Sequence, residues 1–247
     1  MVLDTLPFIL AGILAQLVDG ALGMAFGVLS TTLLLSLGVP PAVASASTHA
    51  VETFTTAASA LSHMAQRNID WPLFRRLAVP GMIGGALGAY VLTNIDAGVA
   101  RPLVLTYLVV IGLVLVYRGW RYPPQLKEPR IVAPLGLAGG FLDASGGGGW
   151  GPVVTSNLLI QGASPGRTIG TVNTTEFLVT LVISATFLAT AGLAIFNHVV
   201  VGLLIGGMLA APFGAVMAKR VPAKPLLILV GLLLTATSAY GVVTALR

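Results

Sequence analysis

The sequence predicts an all-α polytopic membrane protein made of two inverted repeats, each a re-entrant or broken helical hairpin followed by three transmembrane helices. The first observation behind this fold class is composition. The 247 residues are 56% hydrophobic and 9% charged, with a mean hydropathy of +0.95, whereas soluble domains carry about 25% charged residues. The second observation is an internal repeat, and the third is the distribution of Lys and Arg between the apolar segments.

Eight apolar segments account for most of the chain. A helix needs about 20 apolar residues to cross the hydrocarbon core, and most of the segments are long enough. They cover residues 6–37, 41–64, 77–93, 102–117, 131–161, 168–192, 195–218 and 225–246. We therefore expect a first transmembrane repeat at 1–117, a basic cytoplasmic linker at 118–130 and a second transmembrane repeat at 131–247.

The two halves align at an offset of 124 residues. Residues 12–63 match 136–187 without a gap, and the carboxylates within them coincide: Asp19 with Asp143, and Glu52 with Glu176. An ionised side chain at the bilayer centre costs roughly 2.5–3.5 kcal/mol on insertion scales, so such residues usually mark a pathway. Two carboxylates repeated at one offset indicate a duplicated site.

The basic residues favour hairpins over simple spans. Segments 6–37 and 131–161 are too long for one simple span, and each has a glycine-rich break, expected in its first half at 18–23 and 142–149. Eight simple spans, the alternative topology, divide Lys and Arg 8 against 5 between the two sides, whereas two hairpins that return to their starting side divide them 11 against 2. Cytoplasmic loops carry the excess of Lys and Arg. The hairpin topology has an odd number of crossings per repeat, so the second repeat is inverted and both termini lie outside.

The hairpin tips, around residues 20–27 and 144–151, are the first candidate site. Inverted-repeat transporters bind their substrates where discontinuous helices meet, and each tip begins a half-helix whose free N–H groups favour an anion. Glycines there allow close backbone approach and positive φ; the alternative is that they only permit tight helix packing. The candidates at the tips are Gly20, Gly23, Gly27, Ser145, Gly146, Gly147, Gly148, Gly149 and Trp150.

The intramembrane carboxylates have two interpretations each. Asp19 and Asp143 either cap the half-helix that follows or form a proton or cation site. Glu52 and Glu176 are each the centre of a polar stripe along one helical face, and the stripes should face each other or a wet cavity. Because burial penalises an ionised carboxylate, both glutamates are candidates for carrying protons; the alternative is a hydrogen-bonded structural pair. His49 is either a proton partner of Glu52 or a polar packing residue.

Hydroxyl and amide side chains supply further candidate ligands. No Lys or Arg lies deep in an apolar segment, so a bound anion must be held by amides, hydroxyls and helix ends. The residues nearest the glutamates that can do this are Ser47, Thr48, Thr171, Asn173 and Thr174, of which Asn173 is the counterpart of His49.

Catalytic and cofactor chemistry find little support. The chain has no cysteine, which removes disulfides and thiolate metal sites. Ser145 aligns with Ala21 and does not lie in a G-x-S-x-G frame, and no H-E-x-x-H motif occurs. We therefore expect neither an enzyme nor a cofactor or metal centre. The net charge of +5 reflects membrane topology rather than a nucleic-acid partner.

Two glycine-containing stretches resemble the sulfite exporter TauE/SafE family. They are GILAQLVDGALGMAFGVLSTTLLLSLGVPPAVASAS in the first half and GFLDASGGGGWGPVVTSNLLIQGASPGRTIGTVNTTEF in the second. The resemblance extends over nearly the whole chain, and the GGGGWGP run is its most specific part, although the first hairpin lacks such a glycine run. It implies a multi-pass transporter in the inner (plasma) membrane that exports or exchanges sulfite or a short organosulfonate.

Taken together, these patterns predict a proton-linked transporter whose small anionic substrate binds at the hairpin tips, with membrane lipid around it and a homodimer left open. Two alternatives remain at this point. One is a proton-coupled or metal-cation transporter that uses the four carboxylates as ligands. The other is a channel-like facilitator in which the carboxylates are structural.

Overall fold

Helices make up nearly all of the structure. A computed structural model describes residues 2–22, 24–121, 128–155, 157–158, 161–192, 198–220 and 223–246, and these residues contain no strand. The helices are α1 (Val2–Leu22), α2 (Phe26–Ser36), α3 (Pro41–Ala65), α4 (Trp71–Asn94), α5 (Ala97–Trp120), α6 (Ala133–Gly146), α7 (Pro165–Ala191), α8 (His198–Arg220) and α9 (Ala223–Ala245), with a π-helical turn at Gly151–Thr155.

Four helices among the described residues are long and apolar enough to cross a membrane. They are Trp71–Asn94, Ala97–Trp120, Arg167–Ala191 and Ile228–Ala245. Shorter apolar helices occupy Thr5–Asp19, Phe26–Ser36 and Val199–Ala211. This is the helical pattern of a polytopic membrane protein.

Helices α4 and α5 are longer than the apolar segments 77–93 and 102–117 that predicted them. Each has 24 residues because it begins before the arginines that border its apolar segment, Arg75 and Arg76 in α4 and Arg101 in α5. Asp70 caps α4 by accepting a hydrogen bond from the Leu73 N–H at 3.0 Å, and Asp96 caps α5 through the Gly98 N–H at 2.8 Å. An N-cap carboxylate satisfies N–H groups that have no partner inside the helix. These caps add the turns that make both helices long enough to span.

Each half of the chain packs a helix of its hairpin against the other half. Helix α1 lies along α8 and α6 lies along α4, while α3 packs on α7 and α5 on α9. The backbones approach closely at small residues: a Cβ on Gly12 would collide with the Leu203 carbonyl oxygen, and one on Gly84 with that of Leu137. Glycines at helix contacts are typical of membrane proteins. Exchanged pairing of equivalent helices is the arrangement that a two-fold relation between the halves produces.

Helices α3 and α7, which are equivalent in the two halves, run antiparallel. Their polar side chains meet in reverse order: Thr53 with Ser184 at 3.1 Å, Thr56 with Thr180 at 3.4 Å and Ser59 with Asn173 at 3.3 Å. Thr56 and Thr180 are the same position at the offset of 124, so the axis that relates these helices passes between them. The two polar stripes therefore face each other along this contact.

The second hairpin ends where it begins. The Gln161 side-chain oxygen accepts hydrogen bonds from the backbone N–H groups of Arg130 and Ile131, both at 2.9 Å. The Gln161 amide nitrogen donates to the Ile131 carbonyl at 3.1 Å. The two ends of segment 131–161 are therefore fastened together.

The ends of the first hairpin lie near one cluster of helix ends. Arg101, in the first turn of α5, donates a hydrogen bond to the Leu35 carbonyl at the end of α2, at 3.1 Å. At the other end of the hairpin, the Thr5 carbonyl lies against Gly202 near the start of α8. Helices α4 and α7 directly precede α5 and α8 in the chain. Their last turns are in contact through Thr93 and Thr190, whose hydroxyl oxygens are 3.3 Å apart.

Candidate functional site

The two hairpin tips touch each other through their backbones. We call residues 24–27 the first tip and residues 147–150 the second tip. A Cβ on Gly27 would lie 2.8 Å from the Gly148 Cα, and one on Gly148 would lie 2.5 Å from the Val28 nitrogen. Glycine is required where two backbones come this close. The tips thus form one continuous surface at the junction of the two halves.

Both tips share a backbone conformation that favours glycine. In the second tip, Gly147, Gly148 and Gly149 have φ values of 71°, 129° and 147°. In the first tip, Ala25, the counterpart of Gly149, has φ 121°. An alanine rarely adopts such an angle, and strain of this kind costs about 1–3 kcal/mol and often marks functional sites. The repeat has therefore kept the turn even where it lost the glycine.

The breaks lie at the middle of each hairpin, not in its first half as the sequence led us to expect. Helix α1 continues through Asp19 and Gly20 to Leu22, and α6 continues through Asp143 to Gly146. The first break was expected at 18–23 and lies later, because isolated glycines such as Gly20 are tolerated inside helices. The second break, at Gly147–Gly149, lies at the end of the expected range 142–149. Consequently both aspartates sit in the last turn of the first half-helix.

Asp19 and Asp143 bind backbone N–H groups on the far side of each break. Asp19 Oδ1 accepts from the Phe26 N–H at 3.3 Å, and Asp143 Oδ1 accepts from the Trp150 N–H at 2.9 Å. These two bonds are equivalent at the repeat offset. Each carboxylate thereby caps the second half-helix from the end of the first.

His49 joins the first half to the second tip. Its Nε2 lies 3.2 Å from Asp143 Oδ2, and its Nδ1 lies 2.7 Å from the Ser45 carbonyl oxygen. A carbonyl only accepts, so Nδ1 carries a proton. The second ring nitrogen faces the Asp143 carboxylate. The Ser45 hydroxyl donates to the Ala144 carbonyl at 2.6 Å and fixes α3 against the end of α6.

Glu52 reaches the first tip. Its Oε1 would lie 2.8 Å from a Cβ on Gly27, while its Oε2 lies 3.9 Å from His49 Nε2 and has no hydrogen-bond partner among the described residues. Glu52 is 4% exposed. His49 is therefore flanked by two carboxylates from the two halves, Asp143 at hydrogen-bond distance and Glu52 beyond it.

The four carboxylates form one electrostatic cluster. Glu176, on α7, interacts with Glu52, Asp19 and Asp143. The pairing is asymmetric, because the counterpart of His49 is Asn173, which binds Ser59 at 3.3 Å instead of an aspartate. The His49 imidazole therefore lies close to the carboxylates of both tips, Asp143 at the second and Glu52 at the first. In the described part of the chain, no three His, Asp or Glu side chains converge in a geometry that would hold a metal ion.

The predicted hydroxyl ligands are divided between the tips and other contacts. Thr48 binds Thr31 of α2 at 3.0 Å, and Ser47 is buried with no hydrogen-bond partner among the described residues. Thr171 instead accepts from the Asp70 N–H at 2.8 Å, in the α3–α4 connection. Thr174 and Ser145 donate to carbonyls of their own helices.

Trp150 is a packing residue. It is fully buried, its indole N–H donates to the Val172 carbonyl at 3.2 Å, and its ring lies against Gly81 and Gly139. Its counterpart Phe26 is also buried at 2% exposure. The tips are therefore anchored by equivalent aromatic side chains. Gly20 lies in α1, and Gly23 is outside the described residues.

Tyr107 on α5 is a tip residue that the sequence analysis missed. A Cβ on Gly146 would collide with its ring, and one on Gly149 with its hydroxyl. The glycine run of the second tip was a usable signal, because four adjacent glycines need neighbours that fill the space of four side chains. The side chain of Thr31 occupies the space beside Gly147, and the backbone of Gly27 occupies the space beside Gly148.

Comparisons with known proteins identify the family of the chain. The sulfite exporter TauE/SafE family matches residues 8–241. The chain is 42% identical over 233 residues, 91% of its own length and 78% of the relative's, to the probable membrane transporter protein YtnM of Bacillus subtilis (strain 168). No solved structure matches the chain. These matches confirm the resemblance seen in the two glycine-containing stretches: the chain belongs to the sulfite exporter TauE/SafE family and is a membrane transporter, not an enzyme.

Proposed function

We propose that this transporter exports or exchanges a small sulfur-containing oxyanion, sulfite or a short organosulfonate, in a proton-linked reaction. The anion binds where the two hairpin tips meet. The observation that carries this proposal is the backbone contact between Gly27 and Gly148, beside the buried carboxylate of Glu52. It joins both halves of the repeat at one point, where substrates of inverted-repeat transporters bind.

The tips already bind oxyanions of the protein itself. The N–H groups of Phe26 and Trp150 donate to carboxylate oxygens of Asp19 and Asp143, and a carboxylate oxygen of Glu52 lies beside Gly27. A sulfite or sulfonate oxygen accepts the same charge-assisted hydrogen bonds as a carboxylate oxygen. The substrate can therefore replace a carboxylate on these amides without the help of Lys or Arg.

Proton linkage follows from charge. Four carboxylates interact around the tips, and the His49 imidazole lies among them. Two like charges 4 Å apart repel by about 4 kcal/mol at an effective dielectric constant of 20. An anion can bind only after one or more carboxylates are neutralised, so anion and proton enter the site together. Glu52 is the best placed, because its buried carboxylate lies beside Gly27 at the junction of the two tips.

The transmembrane arrangement that fits this mechanism is a pair of inverted repeats, 1–117 and 131–247, joined by the cytoplasmic linker 118–130. Antiparallel packing of the equivalent helices α3 and α7 supports it, since their two-fold axis is perpendicular to helices that cross the membrane. The fastening of Gln161 to Ile131 supports a re-entrant second hairpin. We place the protein in the inner (plasma) membrane.

A cation transporter is the second candidate function. The clustering of Asp19, Glu52, Asp143 and Glu176 favours it, because carboxylates are the ligands that divalent cations prefer. The use of Asp19 and Asp143 as caps on backbone amides argues against it, since ligands of a metal ion would have to leave those amides.

One experiment separates the two functions. Purified protein is tested for thermal stabilisation, and proteoliposomes for flux, with sulfite, sulfate, thiosulfate, short alkanesulfonates and divalent cations. We expect stabilisation and flux with sulfite or an alkanesulfonate. Stabilisation by divalent cations and by no oxyanion would overturn the anion proposal.

A further inference from the structure

The Tyr107 hydroxyl is buried against the second tip without a hydrogen-bond partner among the described residues. It approaches Gly149, the residue before the capped Trp150 N–H. A buried hydroxyl that makes no hydrogen bond costs about 1–3 kcal/mol. Such a hydroxyl in the candidate site of a transporter indicates that a bound ligand accepts its hydrogen bond.

Asp143 does not need this hydroxyl. It interacts electrostatically with Tyr107, yet its Oδ1 is bound by the Trp150 N–H and its Oδ2 by His49. The phenol is therefore a donor left over once the carboxylate has been satisfied. Its ring occupies space that Gly146 and Gly149 leave open, so the hydroxyl is held in place rather than free to turn away.

The repeat shows that Tyr107 belongs to one tip alone. The sequence Ala100–Leu103 matches Ala223–Leu226 at an offset of 123 residues, which places Val230 opposite Tyr107. At the equivalent positions of the repeat, Leu22 and Ala25 replace Gly146 and Gly149, and Val230 replaces Tyr107. The glycines and the tyrosine therefore occur together, and the backbone turn does not itself require two of the four glycines.

We propose that the Tyr107 hydroxyl donates a hydrogen bond to the transported oxyanion at the second tip and so determines its affinity and specificity. The inference rests on the proposed function, because it needs an oxyanion at the tips. A phenol is a strong donor toward an anionic oxygen, and the tip has no Lys or Arg. The second tip is then the tighter half of the site, with backbone amides on one side of the anion and Tyr107 on the other.

The test is Tyr107→Phe, which keeps the ring between the glycines and removes only the hydroxyl. Its matched control is Tyr90→Phe on α4, where the side chain is 57% exposed. Binding of sulfite and of a short alkanesulfonate is measured by titration in detergent, together with the melting temperature without ligand. We expect the Kd of Tyr107→Phe to rise about 10- to 100-fold, the loss of one hydrogen bond to a charged group.

The melting temperature without ligand separates a ligand role from a structural one. Because the hydroxyl has no protein partner among the described residues, its removal should leave that temperature unchanged or higher. An unchanged Kd in Tyr107→Phe, or a variant that melts lower or does not fold, would overturn the role of Tyr107 while leaving the proposed function intact. A wild type that binds no sulfur oxyanion would overturn both.

Discussion

Glu52→Gln removes a titratable proton from the tip junction while keeping a side chain of nearly the same shape beside Gly27. The buried Glu52 carboxylate lies within 2.8 Å of a Cβ position on Gly27, which itself touches Gly148. An anion at this junction would be about 4 Å from the carboxylate, a distance at which like charges repel by about 4 kcal/mol at an effective dielectric constant of 20. Since 1.4 kcal/mol is about tenfold in Kd, an ionised Glu52 weakens binding by up to about 1000-fold.

The assay is the pH dependence of anion affinity. A short alkanesulfonate is the ligand, because its own charge does not change across the neutral range. In the wild type, one bound proton accompanies the anion, so Kd should rise by up to about tenfold per pH unit as the medium becomes more alkaline. In Glu52→Gln the rise should be strongly reduced, and affinity at alkaline pH should exceed that of the wild type. Glu128→Gln, in the exposed end of the linker, is the control and should behave as wild type.

Either of two results would refute this reasoning: a wild-type Kd that does not change with pH, or a Glu52→Gln variant as pH-dependent as the wild type. The second result alone would mean that another carboxylate of the cluster, not Glu52, binds the proton that accompanies the anion. Loss of folding in Glu52→Gln would make the glutamate structural, as the alternative interpretation of the sequence had it.

Three further predictions concern stability and topology. His49→Asn introduces the residue of the second half but leaves Asp143 without its partner, so we expect the unfolding free energy to fall by about 3 kcal/mol. In the double variant with Asp143→Asn the loss should be smaller than the sum of the two single losses, and additive losses would show that the pair is not coupled. Ala25→Gly relieves the positive φ and should gain about 1 kcal/mol; a lower melting temperature would contradict the strain. The chain has no cysteine, so single cysteines can report its topology. Cysteines introduced at Arg75 and Glu128 should be labelled from one side of the membrane, and a cysteine at Asn94 from the other side. Labelling of the Arg75 and Glu128 positions from opposite sides would contradict the hairpin topology.

The positions of the buried carboxylates were predictable because charge in an apolar chain is conspicuous. Asp19, Glu52, Asp143 and Glu176 were located from composition and offset alone, and the structure brings all four into one cluster. Caps were the preferred interpretation of the aspartates, and the hydrogen bonds to Phe26 and Trp150 have that geometry. The facing of the two polar stripes also followed from the helical period.

Tertiary neighbours were not predictable from the sequence. Nothing near Tyr107 in sequence says that its ring fills the space beside Gly146 and Gly149, because the contact joins residues some 40 positions apart. The first break was expected too early for a related reason: a glycine ends a helix only where tertiary contacts stabilise the turn, and those contacts lie at the tip junction.

This packing changes how the glycines can be tested. A Cβ on Gly148 would collide with the Gly27 backbone, so valine there would disrupt the tips whether or not an anion binds. Gly192, with φ 75° and open space around it, is a control for backbone strain but not for this collision. Loss of binding in a Gly148 variant therefore carries no information about the ligand, and side-chain variants such as Tyr107→Phe and Glu52→Gln are the informative ones.

The most direct test of the account is a count of the protons that move with the anion. Proteoliposomes containing the protein and an internal pH indicator are given an inward gradient of a short alkanesulfonate at zero membrane potential. The account predicts that the wild type acidifies the lumen as the anion enters, and that Glu52→Gln carries the anion with a smaller pH change or none. Anion entry in the wild type without acidification, or entry accompanied by alkalinisation, would contradict the claim that proton and anion share the site at the hairpin tips.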